Sequence, residues 1–245
     1  MTIKPIDQSQ LKALRTAALL YLLIIISAPI GLLYVPGTLI VPGDAPATAD
    51  HIRASGWLFR IGIGSELFHQ AIQVFLVLAL YRLFRPVNKQ HAKLVVILGA
   101  LVPVPIVFIN VLNEIAALIL VNGADFLSVF SKSQMDSLAM LFLRLHEHGT
   151  EIAQIFWGLW LFPLGILVIR SGFIPRLLGV LLFIAGTGLL ASSFTSLILP
   201  QYGVLFSQIA MVLDFGEFPT IFWFFIRALW PSRITEPERT SIQVS

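Results

Sequence analysis

Long stretches without a charged residue alternate with short polar segments along this chain. Four such stretches cover residues 16–43, 94–113, 152–169 and 177–213. A helix needs about 20 largely apolar residues to cross the hydrocarbon core of a bilayer. The pattern therefore predicts six membrane-spanning helices, the first to sixth spans. They are predicted at residues 12–35, 57–81, 93–121, 136–169, 176–199 and 204–229.

Turn-forming residues separate the predicted spans. The segment "VPGTLIVPGDAPATAD" after the first span is rich in proline and glycine, and "RPVNKQ", "RSGFIPR" and "LPQYG" are typical of shorter turns. A cleaved signal peptide is the competing interpretation of the N-terminus. We expect a retained first span instead, because its apolar stretch continues well beyond Pro29 and contains no cleavage pattern of small residues.

The composition supports a membrane protein. Hydrophobic residues make up 57% of the chain and charged residues only 12%, whereas a soluble domain carries about 25% charged residues. We therefore expect an all-α fold, a polytopic membrane helical bundle formed by a single transmembrane domain over residues 1–245. A cytoplasmic N-terminal tail is predicted at 1–11 and a polar cytoplasmic C-terminal tail at 231–245. The chain has no cysteine, which excludes disulfides and thiolate ligands.

Lysine and arginine predict how the helices cross the membrane. Twelve of the 16 basic residues fall on one side if the N-terminus is cytoplasmic, and they are Lys4, Lys12, Arg15, Arg82, Arg85, Lys89, Lys93, Arg170, Arg176, Arg227, Arg233 and Arg239. The positive-inside rule then places both termini in the cytoplasm. This use of the basic residues explains the net charge of +3 without a nucleic-acid partner.

Several segments resemble one family of bacterial multi-span membrane proteins, the domain-of-unknown-function 4386 family. They include "LVLALYRLFRPVN", "NVLNEIAALIL", "LFLRLHEHG", "IAQIFWGLWLFPLGILVIRSGFIPRLLGVLLFIAG" and "GEFPTIFWFF". The resemblance covers residues 8–245 and implies a multi-span helical fold in the inner membrane of a bacterium. It implies no reaction.

Polar side chains form stripes at helical spacing on four of the spans. The stripes consist of Glu66, His69, Gln70 and Gln73; Asn110, Asn113 and Glu114; Arg144, Glu147, His148, Glu151 and Gln154; and Asp214 and Glu217. With a rise of about 1.5 Å per residue, the stripes lie at similar depths, between the midplane and the outer half of the membrane. We therefore expect one buried polar pocket. His146 points away from its neighbouring stripe and is expected at the outer interface, and hydrogen bonding between helices is the simpler role for Gln73 and Gln154.

Metal binding is one interpretation of the pocket. Helical bundles that hold two metal ions use Glu-x-x-His on two helices and a glutamate from each of two others. Here Glu66 with His69, and His148 with Glu151 in reverse order, would supply the pairs, and Glu114 and Glu217 the remaining ligands. A divalent metal is thus a candidate cofactor.

Acid–base catalysis on a lipid-soluble substrate is a second interpretation. Carboxyl groups in different surroundings can take opposite protonation states and share the roles of acid and base. Glu66 or Glu217 would then be the acid, and Glu151 with His148 the base. The residues expected to line the polar pocket are Gln70, Asn110, Asn113, Gln154 and Asp214.

Transport is a third interpretation, because proline disturbs helices beside the polar residues. Pro103 and Pro105 precede Asn110, and Pro219 follows Glu217, and proton-coupled carriers use interrupted helices of this kind. We favour an intramembrane enzyme, with a proton-coupled small-molecule carrier as the alternative and a structural membrane protein as the third. The expected partners are the bilayer and a lipophilic small molecule, and the oligomeric state stays open.

Overall fold

The computed structural model describes residues 6–230, and within that range it consists of helices and turns without a strand. Six helical segments of this described part are long and apolar enough to cross a membrane: Gln8–Leu39, Gly56–Phe84, Lys89–Asn122, Lys132–Ser171, Arg176–Ile198 and Pro200–Leu229. The predicted all-helical fold is confirmed, with six helical segments of the length and apolarity predicted for the spans. The predicted C-terminal tail and residues 1–5 of the predicted N-terminal tail lie outside the described residues.

Four spans consist of shorter helices joined end to end, whereas the second and fifth are unbroken. The first contains Gln8–Pro29, a π turn Ile30–Tyr34 and Val35–Leu39; the third contains Lys89–Val96, a π turn Ile97–Leu101 and Pro103–Asn122. The fourth contains Lys132–Leu159 and Leu161–Ser171; the sixth contains a 3₁₀ turn Pro200–Tyr202, Gly203–Asp214 and Phe218–Leu229. A surface helix, Ala45–Ala54, follows the first span, and a 3₁₀ turn, Asp125–Leu127, follows the third.

Prolines accompany these interruptions. A proline lacks the N–H that its helix would use and displaces the preceding turn. Pro29 directly precedes one π turn, and Pro103 follows the other after Val102. The interruption expected in the third span lies there, whereas Pro105 continues the helix that Pro103 begins. The break in the sixth span lies beside Pro219, as expected.

Polar caps start the first and fourth spans earlier than predicted. Asp7 and Gln10 exchange hydrogen bonds between side chain and backbone N–H, and Ser131 and Gln134 form the same reciprocal pair. Each capping box satisfies two N–H groups that a helix start leaves free. The first helix consequently begins at Gln8, within the predicted N-terminal tail, and the fourth at Lys132.

Two main apolar cores lie along the described part of the bundle, and polar residues and a small apolar cluster of Val107, Val111 and Ala153 lie between them. One core includes Leu80 of the second span and Leu164 of the fourth. The other includes Phe59, Leu118 and Leu143, with the surface helix packed against it. Along the second, third and fourth spans, the polar residues predicted from the sequence fall between the members of these two cores. The fold therefore brings polar side chains from three helices to one level.

Candidate functional site

Three ionisable side chains from three different spans meet between the two cores. Glu66 of the second span and Glu114 of the third are 1% and 4% exposed. His146 of the fourth span places its Nε2 3.3 Å from Oε2 of Glu66 and 3.8 Å from Oε2 of Glu114. One ligand atom from each residue lies within 4.8 Å of the other two. We call this set the Glu66–Glu114–His146 cluster.

The buried face of the fourth span brings His146 to the cluster. Small, apolar and polar residues recur there with alternating spacings of three and four, at Asp136, Ala139, Leu143, His146, Thr150, Ala153 and Trp157. This spacing keeps side chains on one helix face. His146 therefore joins the buried polar cluster, although the sequence pattern predicted it outside the pocket, at the outer interface. The buried pattern on either side of it, and not its charged neighbours, was the signal that could have found it.

Asn110 fixes the backbone at His146. Its Nδ2 donates to the His146 carbonyl at 2.8 Å and to Thr150 Oγ1 at 3.2 Å, and Asn113 donates to its Oδ1 at 3.1 Å. Gly149 makes this approach possible, because a Cβ there would overlap the Asn110 amide. The predicted pocket residues Asn110 and Asn113 therefore support the cluster from the third span.

A close contact between Gly31 in the first span's π turn and Gly62 in the second span sets the position of Glu66. A Cβ on Gly31 would lie 2.9 Å from the Gly62 carbonyl oxygen and 3.3 Å from the Glu66 backbone nitrogen. The first of these distances is shorter than a Cβ can approach an oxygen, so a larger residue at position 31 would push the two spans apart. Ser65 Oγ adds a hydrogen bond of 2.6 Å to the Ser27 carbonyl. The first span consequently packs tightly over the backbone that carries Glu66.

A cavity of about 420 Å³ adjoins the cluster. Glu114 and His146 line it, and its apolar walls include Leu32 and Val35 of the first span and Ile40 of the loop that follows it. The lining from the fourth span also includes Met140, Leu143, Arg144, Glu147, Thr150, Glu151 and Gln154. The cavity thus combines an apolar surface with two ionisable groups of the cluster.

Ion pairs attach the surface helix Ala45–Ala54 to the fourth span. Arg53 pairs with the buried Asp136 of the fourth span and donates to the Val121 carbonyl at 2.9 Å. Lys132 Nζ lies 3.1 Å from Asp136 and 3.2 Å from Asp50. The hydrogen bond from Lys132 lowers the pKa of the exposed Asp50 carboxyl. These contacts hold the surface helix against the third and fourth spans.

The other predicted site residues do not all join the cluster. His148 is exposed and bonds Glu151 through Nδ1 at 2.8 Å. Of the six predicted metal ligands, only Glu66 and Glu114 belong to the close group, whereas His69, His148, Glu151 and Glu217 lie outside it. The reason is helix phase, because residues two positions apart, such as His146 and His148, point to nearly opposite faces.

His69, Gln70 and Gln73 of the second span are buried, but each makes different contacts and none belongs to the Glu66–Glu114–His146 cluster. His69 is 8% exposed and its ring centroid lies 6.4 Å from that of Trp157. Gln70 is fully buried and its amide has no hydrogen-bond partner among the described residues. Gln73 donates to the Gly99 carbonyl at 3.0 Å, which is the hydrogen bond between helices expected for it.

A separate polar contact involves the sixth span. Tyr21 of the first span places its hydroxyl 3.5 Å from Glu217 Oε1, beside the break between Asp214 and Phe218. The sixth span packs against the first and fifth spans. Asp214 and Glu217 were predicted to share a pocket with the other polar residues, but the described structure places them in this second location.

Comparisons with known proteins bear on the fold more than on the site. A family model described as "Domain of unknown function (DUF4386)" matches residues 16–228, as the resemblance indicated. An "Uncharacterized protein" of Archaeoglobus fulgidus is 40% identical over 77 residues. That segment is 31% of this chain and 44% of the archaeal protein, so the match spans less than half of the relative. No solved structure gives a significant match.

Proposed function

Since this chain belongs to the DUF4386 family, whose function is unknown, we propose a function from its geometry. The protein is a membrane-embedded enzyme that acts on a lipid-soluble substrate at the Glu66–Glu114–His146 cluster. The observation that carries this proposal is the position of Glu114 and His146 in the wall of a largely apolar cavity of about 420 Å³. Imidazole and carboxyl groups are the commonest general acids and bases.

The residues of the cluster take different roles in this proposal. His146 and Glu114 touch the substrate because they line the cavity. Glu66 is a positioning residue, since it lies behind the wall and contacts the His146 ring at 3.3 Å. Such a carboxylate orients an imidazole and stabilises its charged form, as in other carboxylate–histidine pairs. The arrangement suits reactions that begin with proton transfer.

The cavity favours an amphiphilic substrate with an apolar body. Side chains such as Leu32, Val35, Ile40 and Leu143 would bury the apolar part, and burial of apolar area contributes roughly 25 cal/mol per Å². Ligand sites of this type combine apolar walls with a few polar groups that fix orientation. The polar part of the substrate would then face Glu114 and His146.

The experiment compares lipid extracts before and after incubation with the protein in liposomes. Bacterial lipid extract is incubated with wild type, His146→Asn and His148→Asn, and all species are compared by mass spectrometry. We expect at least one lipid-soluble species to be converted by wild type and by His148→Asn, but not by His146→Asn. Unchanged extracts with wild type, or equal conversion by His146→Asn, would overturn the proposal.

A proton-coupled carrier is the second candidate, and the sixth span favours it. Its helix is interrupted beside Glu217, whose carboxylate lies 3.5 Å from the Tyr21 hydroxyl. Interrupted helices beside acids occur in carriers. A carrier would move a solute across sealed liposomes without changing it, and Glu217→Gln would abolish the flux. Chemical conversion without flux would leave only the enzyme.

The proposed orientation has both termini in the cytoplasm of a bacterial inner membrane. Its support is the bias of basic residues, with Arg82, Arg85 and Lys89 in one loop. The chain has no cysteine of its own, so single-cysteine variants can be labelled cleanly. An impermeant thiol reagent should label Phe126→Cys in intact cells and should label Lys89→Cys only after lysis. The reverse pattern would invert the topology.

A further inference from the structure

We infer that Glu66, Glu114 and His146 together bind one divalent transition-metal cation. This rests on the proposed function only in placing the reacting centre at the same cluster. The unpaired atoms of the cluster point to a missing positive partner. Oε2 of Glu66 and Oε2 of Glu114 are buried and make no hydrogen bond within the described residues. Unpaired buried carboxylate oxygens are costly, so an additional cationic partner would stabilise both.

The distances fit a metal site better than a hydrogen-bonded one. An N–H···O hydrogen bond is normally about 2.9 Å long, but the one that His146 Nε2 makes with Glu66 Oε1 is 3.4 Å long, and Nε2 lies 3.3 and 3.8 Å from the two Oε2 atoms. Bonds of about 2.1 Å to a tetrahedral ion put neighbouring ligand atoms roughly 3.4 Å apart. The nitrogen thus lies within about 0.4 Å of that separation from each oxygen, and all three ligand atoms lie within 4.8 Å of one another.

Charge balance leads to the same conclusion. As metal ligands, two ionised carboxylates and a neutral imidazole would carry two negative charges in a region where buried charge is expensive. No lysine or arginine of the described chain forms an ion pair with Glu66 or Glu114, because Arg53, Lys132 and Arg144 pair with other acids. A divalent cation would neutralise the cluster.

The donor set narrows the class of ion. One imidazole nitrogen and two carboxylate oxygens suit Zn²⁺, Fe²⁺ or Mn²⁺, and there is no thiolate to favour Cu(I). Three protein ligands leave at least one position open, as in catalytic metal sites. That position would face the cavity, because Glu114 and His146 line it. With the cation bound, Nε2 of His146 would be a metal ligand and not an acid or base. The substrate would then react at the open coordination position.

The test measures metal binding directly. Untagged protein in detergent is stripped with a chelator, dialysed against Co²⁺, and analysed by plasma mass spectrometry and visible absorption. We expect one Co²⁺ per chain and absorption bands of a low-coordinate site in wild type. His146→Ala, Glu66→Gln and Glu114→Gln should each bind at least about tenfold more weakly, since losing even an outer partner of a ligand costs 10- to 100-fold.

The matched control is the exposed histidine two positions along the same helix, which does not line the cavity. His148→Ala should bind Co²⁺ like wild type. Binding lost in His148→Ala but kept in His146→Ala, equal binding by His146→Ala and wild type, or no binding by wild type would each overturn the inference. Because Glu66→Gln could disturb folding, the thermal midpoint is also measured with and without Co²⁺. Bound Co²⁺ should raise the thermal midpoint of wild type and of the control, but not that of the three cluster variants.

The same preparations separate this inference from the proposed enzyme. Lipid conversion by chelator-stripped protein that also fails to bind Co²⁺ would overturn the metal site and leave the enzyme. Stoichiometric metal bound by the three residues without any lipid conversion would support the site and count against the enzyme.

Discussion

The two histidines of the fourth span illustrate how differently identical side chains can be placed. His146 is 13% exposed in its side chain and contacts two buried glutamates from other spans, whereas His148 is 54% exposed and contacts Glu151 of its own helix. Two positions along a helix correspond to a rotation of about 200°. One imidazole therefore faces the bundle and the other faces away from it.

The different surroundings of the two histidines determine how strongly each interacts with its glutamate partners. A surface ion pair is worth about 0–1 kcal/mol and is weakened by salt. In contrast, the Glu66–Glu114–His146 cluster lies in a region of low dielectric constant, where each charge interacts strongly with its neighbours. The inward face of the fourth span, from Asp136 through His146 to Trp157, is therefore the face on which substitutions should have large effects.

The largest expected effect comes from a side chain added at Gly149. Gly149→Val would push the Asn110 amide away from the His146 carbonyl, and overpacking costs about 1–3 kcal/mol. We expect a loss of about 3 kcal/mol in the free energy of unfolding in mixed micelles. The matched control is Gly64→Val, because a Cβ at Gly64 meets nothing within 4 Å. Equal losses in both variants would contradict the close approach at Gly149.

Removal of the buried charge at Asp136 should follow in size. Asp136→Asn leaves Arg53 without its buried partner, and hydrogen bonds to charged groups contribute about 1.5–3 kcal/mol. We expect a loss of about 2 kcal/mol in the same unfolding measurement. The exposed Asp125 serves as the control, and Asp125→Asn should change stability by less than about 0.5 kcal/mol. If Asp136→Asn left the free energy of unfolding unchanged, the contact between Arg53 and Asp136 would not contribute to the stability of this helix face.

The amide of Asn110 should contribute less. Hydrogen bonds between membrane helices average about 0.6 kcal/mol and reach about 1.7, and Asn110 donates two of them to the fourth span. We expect Asn110→Ala to cost about 1 kcal/mol in the same unfolding measurement. Asn113→Ala should cost less, because Asn113 donates only to Asn110. A larger loss for Asn113→Ala would reverse this assignment.

Thiol labelling compares the two histidine positions directly. The native chain lacks cysteine, so a hydrophilic maleimide reports one site at a time. His148→Cys should react fast in detergent, and His146→Cys should react many times more slowly because its position is largely enclosed. Equal rates would mean that both positions face solvent.

The smallest expected effect concerns Asp50, the exposed acid that shares Lys132 with Asp136. Its pKa is lowered in the folded protein, so its contribution to stability exists above its unfolded pKa and disappears as the pH falls through the folded one. Wild type and Asp50→Asn should differ slightly in thermal midpoint at pH 7. The difference should shrink well below the ordinary value of 3.8 and at high salt. A difference that grows in acid would contradict the assigned sign.

Two of the three residues of the cluster could be predicted from the sequence. Glu66 and Glu114 were identified because an acid within an apolar stretch is costly and therefore conspicuous. His146 was missed because Arg144, Glu147, His148 and Glu151 form a more obvious polar stripe. The fourth span explains the error. Its 40 residues correspond to about 60 Å of helix, twice the roughly 30 Å hydrocarbon core, so part of it can expose charged pairs such as Arg144–Glu147 to water.

The sequence by itself determined that the described chain is helical and that six segments can span a membrane. The reason is local, because a spanning segment must satisfy its backbone within itself and present apolar side chains over a defined length. Only the tertiary structure decided which polar side chains meet. That outcome depends on the rotation of each helix about its axis, which packing at Gly31, Gly62 and Gly149 sets and which a list of polar residues does not contain.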